Sequence, residues 1–341
     1  MKNPENRKDW MKIKTLDMHT AGEPLRIILE GYPRLSGKTV LEKRATARTA
    51  YDNLRKALMW EPRGHADMYG AICTEPVTSD GHLSVIFLHN SGYSTMCGHG
   101  IIALTTAALE TGLVEIEGDR PVLRIDSPAG QVTAVAQRDK DRIRAVSFKN
   151  VPSFVLCQDE KIEVDGIGTV RYDIAFGGAF YAFCRAEDFG FSLVPEEYPT
   201  LIRMGRKIKQ AVKANRAIPH PFEPDLSFLY GTIFVGRPHD PGHHSRNVCI
   251  FAEGELDRSP TGTGVSARAA LHYARNEIAL FEPFVVESIL GTCFTGKVVR
   301  QTTFGSHKAV IPEVSGSAYI TGRHEFVIDP EDPLKDGFIF R

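Results

Sequence analysis

The chain has 341 residues, 42% hydrophobic and 24% charged, globular proportions that exclude disorder over its bulk and supply length for about two domains. Lys and Arg number 41 against 42 Asp and Glu, a formal charge of -1, so no net field draws the chain to nucleic acid or to an anionic membrane, and a small-molecule partner is expected. Residues 1–14 are polar and charged and no long apolar stretch follows, which gives neither a signal-peptide core nor a membrane span and makes the cytoplasm the expected compartment.

Residues 1–11 read as a flexible leader, because apolar alternation begins only at Ile13-Lys14-Thr15-Leu16. Helical periodicity then predicts a helix over 41–60, and others over 100–111, 198–215 and 263–276. Short β-branched or aromatic runs at 84–88, 122–125, 174–176, 231–235 and 248–251, bounded by Gly, Pro and Asp, predict strands. The fold class is α+β with strands in the majority. Six cysteines (Cys73, Cys97, Cys157, Cys184, Cys249 and Cys293) are scattered without a C-x-x-C pair, so free thiols are expected, with neither a disulfide framework nor a zinc site. His239, His243 and His244 crowd one Pro/Gly-containing loop, which reads as a solvated surface because no Cys or carboxylate completes a metal-ligand spacing.

An internal repeat fixes the architecture. Val85-Ile86-Phe87 is followed ten positions after Phe87 by Cys97 and then Gly98-His99-Gly100. Cys249-Ile250-Phe251 is followed at the same interval by Thr261 and then Gly262-Thr263-Gly264. An Ala-rich helix comes after each turn, and Ser127-Pro128-Ala129-Gly130 answers Ser288-Ile289-Leu290-Gly291. Two similar halves are implied, each running strand, loop, Gly-rich turn, helix, strand.

Each turn lies where a helix begins. First-turn amides have no partner within a helix and the dipole adds positive potential, so Gly98, His99, Gly262 and Thr263 can offer N–H donors to a carboxylate held between the two helices. The same field is expected to lower the pKa of Cys97 and make it a base. A nucleotide fingerprint is absent: neither G-x-G-x-x-G within a βαβ unit nor G-x-x-x-x-G-K-[ST] occurs.

Residues 17–26 (DMHTAGEPLR), 62–71 (PRGHADMYGA), 96–100 (MCGHG) and 257–264 (DRSPTGTG) resemble, in order and spacing, the signatures of proline racemases and hydroxyproline epimerases, from about residue 13 to the C-terminus. That resemblance implies the diaminopimelate epimerase-like fold, with two pseudo-symmetric halves each wrapping strands around a central helix and a site in the cleft between them. The halves are expected at 12–156, joined by the C-terminal segment 327–341, and at 157–326. It further implies that no cofactor is used, that the chain is a homodimer, and that Asp257 and His99 meet the ring nitrogen of a cyclic imino acid, although an aspartate before a helix also serves as a turn or cap. His19 and His65 lie in the same motifs and read as loop-holding residues.

Racemases of this family carry a cysteine in both turns, and this chain departs at Thr261, whose hydroxyl ionises too weakly for two-base exchange. Cys97 with Thr261 resembles the trans-3-hydroxy-L-proline dehydratase branch. In that substrate the Cα hydrogen and the 3-hydroxyl share one ring face, so one thiol can serve a syn elimination, with Thr261 a passive wall or a hydroxyl-binding group. An isomerase using water relayed by Thr261, or a binding protein for cyclic amino acids, are the competing expectations.

Overall fold

The computed structural model describes residues 10–340; the first nine positions of the expected leader lie outside them, and the first described strand is Met11–Thr20. One continuous sheet of 18 strands builds two lobes. In the first, Ala318–Ile328, Met11–Thr20, Glu23–Glu30, Tyr69–Thr74, Leu83–His89, Val122–Ser127, Gly130–Asp139 and Arg142–Lys149 pair in that order. In the second, the order is Ser153–Val164, Gly168–Phe176, Phe180–Arg185, Leu229–Gly236, Ser245–Phe251, Phe284–Glu287, Cys293–Phe304 and His307–Gly316. Each lobe is antiparallel except for two parallel pairs, which fall at the same places in both series. The repeat read from two short motifs is therefore a repeat of topology, strand for strand.

His307–Gly316 closes the second series into a ring by pairing with Ser153–Val164, and it also pairs with Arg142–Lys149 of the first lobe. Because Ala318–Ile328 pairs along its whole length with Met11–Thr20, the chain returns to the first lobe at Ala318, not at 327 as expected, so this strand belongs to the first half; the second lobe's pairing starts at Ser153, ahead of the expected 157.

Five α-helices among the described residues complete the fold: α1 (Val40–Ala50), α2 (Asp52–Met59), α3 (Gly98–Glu110), α4 (Tyr198–Asn215) and α5 (Gly262–Ala274). Helices α3 and α5, GHGIIALTTAALE and GTGVSARAALHYA, are rich in apolar and small residues, and every residue of Gly98–Ala108 and Gly262–Leu271 is buried, His99 and Arg268 included, the pattern of a helix enclosed by other elements. Strands of the first lobe surround α3 and strands of the second surround α5. The remaining helices are amphipathic and cover outer faces: α2 packs Leu54, Leu58 and Met59 against Ile28, Ile72, Ile86 and Leu88, and α4 packs Leu201, Ile208 and Val212 against Phe234, Val248 and Ile250. No described helix is long and apolar enough to cross a membrane.

The single helix expected over 41–60 is two. Tyr51 leaves the helical region at φ -136°, ψ 23°, and α2 turns so that Arg55 donates to the carbonyls of His89 and Asn90 while binding Asp52. Those acceptors lie over thirty residues away, so no local breaker marks the bend. The other predicted helices and four of the five predicted strands form within a few residues of their expected limits, and the run at 174–176 is the end of the longer strand Gly168–Phe176.

Candidate active site

The two Gly-rich turns meet. A Cβ on Gly98 would fall 2.6 Å from the Cα of Gly262, and one on Gly262 would fall 2.7 Å from the Cα of Gly98, so α3 and α5 abut end to end through backbone that only glycine leaves bare. Their first-turn amides therefore line one cleft, together with Cys97, His99, Asp257, Thr261 and Thr263. All seven residues picked out from the sequence converge there.

Pseudo-symmetry ends at the residues that carry the chemistry. Cys97 is extended (φ -143°, ψ 110°) and its Sγ caps α3, accepting from the Gly100 amide at 3.2 Å. Thr261 sits at φ 65°, ψ 94° and caps nothing, a left-handed conformation that costs a β-branched residue of order 1–3 kcal/mol. Its surroundings over-determine it. The Thr261 amide donates to Ser259 Oγ at 3.1 Å, the preceding Pro260 carbonyl accepts from Asn247 Nδ2 at 3.0 Å, and buried Arg268 holds Asn247 Oδ1 at 3.0 Å. The Thr261 hydroxyl donates to Asp257 Oδ2 at 2.8 Å, while Asp257 Oδ1 accepts from the Ser259 amide at 2.7 Å. Asp257 thus shapes the turn and also faces the cleft.

The expected lowering of the Cys97 pKa is corrected by the structure. Burial is the largest influence and pushes the thiol well above its ordinary value; the Asp257 and Glu23 carboxylates add to the rise, and the Gly100 amide and the Tyr69 hydroxyl only partly oppose it. The helix field is present, yet no cation stands beside the sulfur and desolvation of a thiolate outweighs the dipole. His99, whose Nδ1 lies 3.1 Å from Sγ, is lowered by burial. The pair at rest is a neutral thiol against a neutral imidazole.

Sequence reasoning missed the walls. Tyr69, Tyr181, Tyr230, Phe251, Met96 and Cys249 also line the cleft, and the Tyr181 hydroxyl meets Thr263 Oγ1 at 2.7 Å. Tyr69 stands inside one quoted motif and Phe251 inside the repeated strand, so both were within reach; Tyr181 and Tyr230 lie in apolar strand runs that mark burial without showing which cavity is faced. Glu23 was also missed. It is fully buried, accepts from the Arg258 amide at 2.7 Å across the lobes, and has its pKa raised well above the ordinary value, first by burial and then by Asp257. The cleft, as it stands, offers about 20 Å³, room for roughly one water molecule.

The remaining candidates lie elsewhere. His243 Nδ1 meets Glu287 at 2.9 Å, His239 Nε2 the Ser192 carbonyl at 3.2 Å, and His244 Nδ1 Ser245 Oγ at 2.9 Å, so the three histidines serve different partners. His19 Nδ1 accepts from the Gly22 amide at 3.3 Å and His65 Nδ1 lies 2.8 Å from the Ala66 carbonyl; both hold loops. Among the described residues all six cysteines are free.

Comparison with known proteins identifies the family. Residues 15–339 match the family described as proline racemase. The chain is 52% identical to a trans-3-hydroxy-L-proline dehydratase of Colwellia psychrerythraea over 98% of this chain and 94% of that protein. It is 45% identical to a 3-hydroxyproline 2-epimerase of Burkholderia multivorans over 96% and 98%. The crystal structure of a hydroxyproline epimerase from Agrobacterium vitis with bound trans-4-hydroxy-L-proline superposes with a TM-score of 0.92 at 31% identity, covering 97% of this chain and 96% of that one. With two lobes each wrapped around a central helix and a family match over nearly its whole length, this chain belongs to the proline racemase family.

Proposed function

We propose that the chain catalyses, without a cofactor, the dehydration of trans-3-hydroxy-L-proline to Δ1-pyrroline-2-carboxylate, acting in the cytoplasm as a homodimer. The observation that carries this reading is the asymmetry of the two turns: one offers a thiol, and the other offers a hydroxyl already committed to Asp257. The names of the relatives from C. psychrerythraea and from Bacillus cereus, the latter 46% identical over 95% of this chain, support the same activity.

The substrate carboxylate docks between the amides of Gly98, His99, Gly262 and Thr263, and its ring ammonium pairs with Asp257. A cation brought into this buried cleft reverses the electrostatics that keep Cys97 protonated, and neutral His99 at 3.1 Å can take the thiol proton. The thiolate then removes the Cα proton. Charge developing on the carboxylate is stabilised by preorganised amides in a site from which water is excluded. The 3-hydroxyl on the same ring face leaves as water, and the enamine tautomerises to the cyclic imine. Thr261, strained and hydrogen-bonded to Asp257, walls the opposite face.

A 2-epimerase is the second reading, favoured by the B. multivorans relative's name. One experiment separates the two. Incubation with trans-3-hydroxy-L-proline in deuterated water should release pyrroline product, whereas inversion at Cα as fast as product release would make the chain an epimerase, and a thermal shift with neither reaction would make it a binding protein. Sedimentation equilibrium tests the dimer, and a monomeric mass would refute it.

A further inference from the structure

Elimination needs an acid as well as a base, because hydroxide leaves poorly and the C3–O bond breaks readily only as water departs. The Cys97 sulfur is heavily engaged, with the Gly100 amide at 3.2 Å and His99 Nδ1 at 3.1 Å, and it must also hold the Cα proton. A phenol stands beside it. Tyr69, 3% exposed, enters the cleft from the first lobe, and its hydroxyl is close enough to Cys97 to favour the thiolate. That hydroxyl lies 3.5 Å from the hydroxyl of Tyr230, which the second lobe contributes on Leu229–Gly236.

Packing alone does not account for these two oxygens. The Tyr69 ring is fixed by an edge-on contact with His99 at 4.9 Å and a stacked contact with His89 at 5.6 Å, and the Tyr230 ring lies 5.4 Å from Phe251. Phenylalanine would fill the same space, yet the Tyr69 hydroxyl is kept within reach of Ser94, Cys97 and Tyr230. At 3.5 Å the two phenols sit at the limit of hydrogen bonding, so a third hydroxyl placed between them can take over that weak contact. The 3-hydroxyl of a ring held on the Cys97 face is such a group.

We propose that Tyr69, backed by Tyr230, is the acid that protonates the departing 3-hydroxyl, an assignment that rests on the dehydratase reading above. The Cα–H bond breaks and its proton goes to the Cys97 sulfur. The electron pair forms the C2=C3 bond, the C3–O bond breaks, and the oxygen takes the Tyr69 phenol proton and leaves as water. The phenolate recovers a proton from the Cys97 thiol, which restores the thiolate formed on substrate binding, and protonated His99 returns its proton to the sulfur as product leaves. Tyr230 hydrogen-bonds the phenolate as it forms.

The test uses Tyr69→Phe and Tyr230→Phe in the full chain, with two readouts: pyrroline release from trans-3-hydroxy-L-proline, and deuterium wash-in at Cα of L-proline, which has no group to eliminate. Tyr69→Phe should lower kcat for dehydration by about 10²–10⁴-fold while exchange falls by less than about 10-fold, since exchange needs only the thiolate. Tyr230→Phe should lie between Tyr69→Phe and the unmodified chain in dehydration. Dehydration by Tyr69→Phe close to the unmodified rate would overturn the assignment, as would equal losses of elimination and exchange, which would confine Tyr69 to supporting the sulfur. An unmodified chain that exchanges Cα–H yet forms no pyrroline defeats the dehydratase reading itself, and the acid role with it.

Discussion

Replacing Gly98 by alanine tests the contact on which the cleft depends. The new Cβ would lie 2.6 Å from the Gly262 Cα, 2.9 Å from its carbonyl carbon and 3.0 Å from Phe148 Cζ. Two of these atoms are backbone and cannot rotate away. Ordinary contact begins at 3.4 Å, so the ends of α3 and α5 must part by about 0.8 Å in an interior that is packed like a crystal. Overpacking of this kind costs about 1–3 kcal/mol, and the helix preference of alanine over glycine returns about 0.5–1 kcal/mol. The net loss of about 1–2 kcal/mol should lower the thermal midpoint by only a few degrees. Catalysis should suffer more, because displacing positioned groups by about 1 Å costs on the order of 10²-fold in rate. The measurements are a calorimetric midpoint and kcat/KM for pyrroline formation. A folded variant with both values unchanged would show that the helix ends do not meet glycine to glycine, and the carboxylate cradle would lose its basis.

Three further outcomes are expected. Cys97→Ala should reduce turnover by at least about 10³-fold while isothermal titration still detects substrate binding; retained turnover would mean that another group is the base. Thr261→Cys removes a β-branched residue from a left-handed position and places a thiol opposite Cys97, so inversion of L-proline, followed by polarimetry, should rise at least about tenfold above that of the unmodified chain; no inversion from a folded variant would show that the second turn does not face Cα. His272 contributes to acid stability. Its Nε2 faces the Arg268 guanidinium at 3.0 Å and its Nδ1 lies 2.5 Å from Glu277, and burial, with Arg268, pushes its pKa from 6.5 down to about 2. The unfolded chain takes up this proton below pH 6.5 and the folded chain does not, so stability is lost as pH falls from 6.5, by about 1.4 kcal/mol per unit from this group. Urea midpoints between pH 7 and 5 should show that slope, and an unchanged slope in His272→Gln would contradict it.

Much of the fold was legible because its determinants are local. Alternation and β-branched runs mark strands, the Ala-rich periodic stretches after Cys97 and Thr261 mark helices, and the ten-residue interval from Phe87 and from Phe251 to the two turns shows that one unit occurs twice. The same interval located Cys97, Thr261 and the helix-start residues Gly98, His99, Gly262 and Thr263, while Asp257 was reached through the family resemblance and the aromatic walls were missed. The bend at Tyr51 was not legible, because the carbonyls that draw Arg55 away belong to His89 and Asn90.

What sequence alone determined, then, was the repeat, the lone cysteine at a turn, and the threonine standing where a second thiol would be. Only the tertiary structure decided the state of that cysteine. Helix position argues for a thiolate, but the pKa depends on how much water the folded chain removes and on which charges it brings near, and here burial with Asp257 and Glu23 prevails over the helix amides. Tertiary structure likewise joined Tyr69 to Tyr230, 161 positions apart, and turned the Thr261 hydroxyl onto Asp257. Desolvation and contacts between distant residues are properties of the packed whole, and no local pattern of residues encodes them.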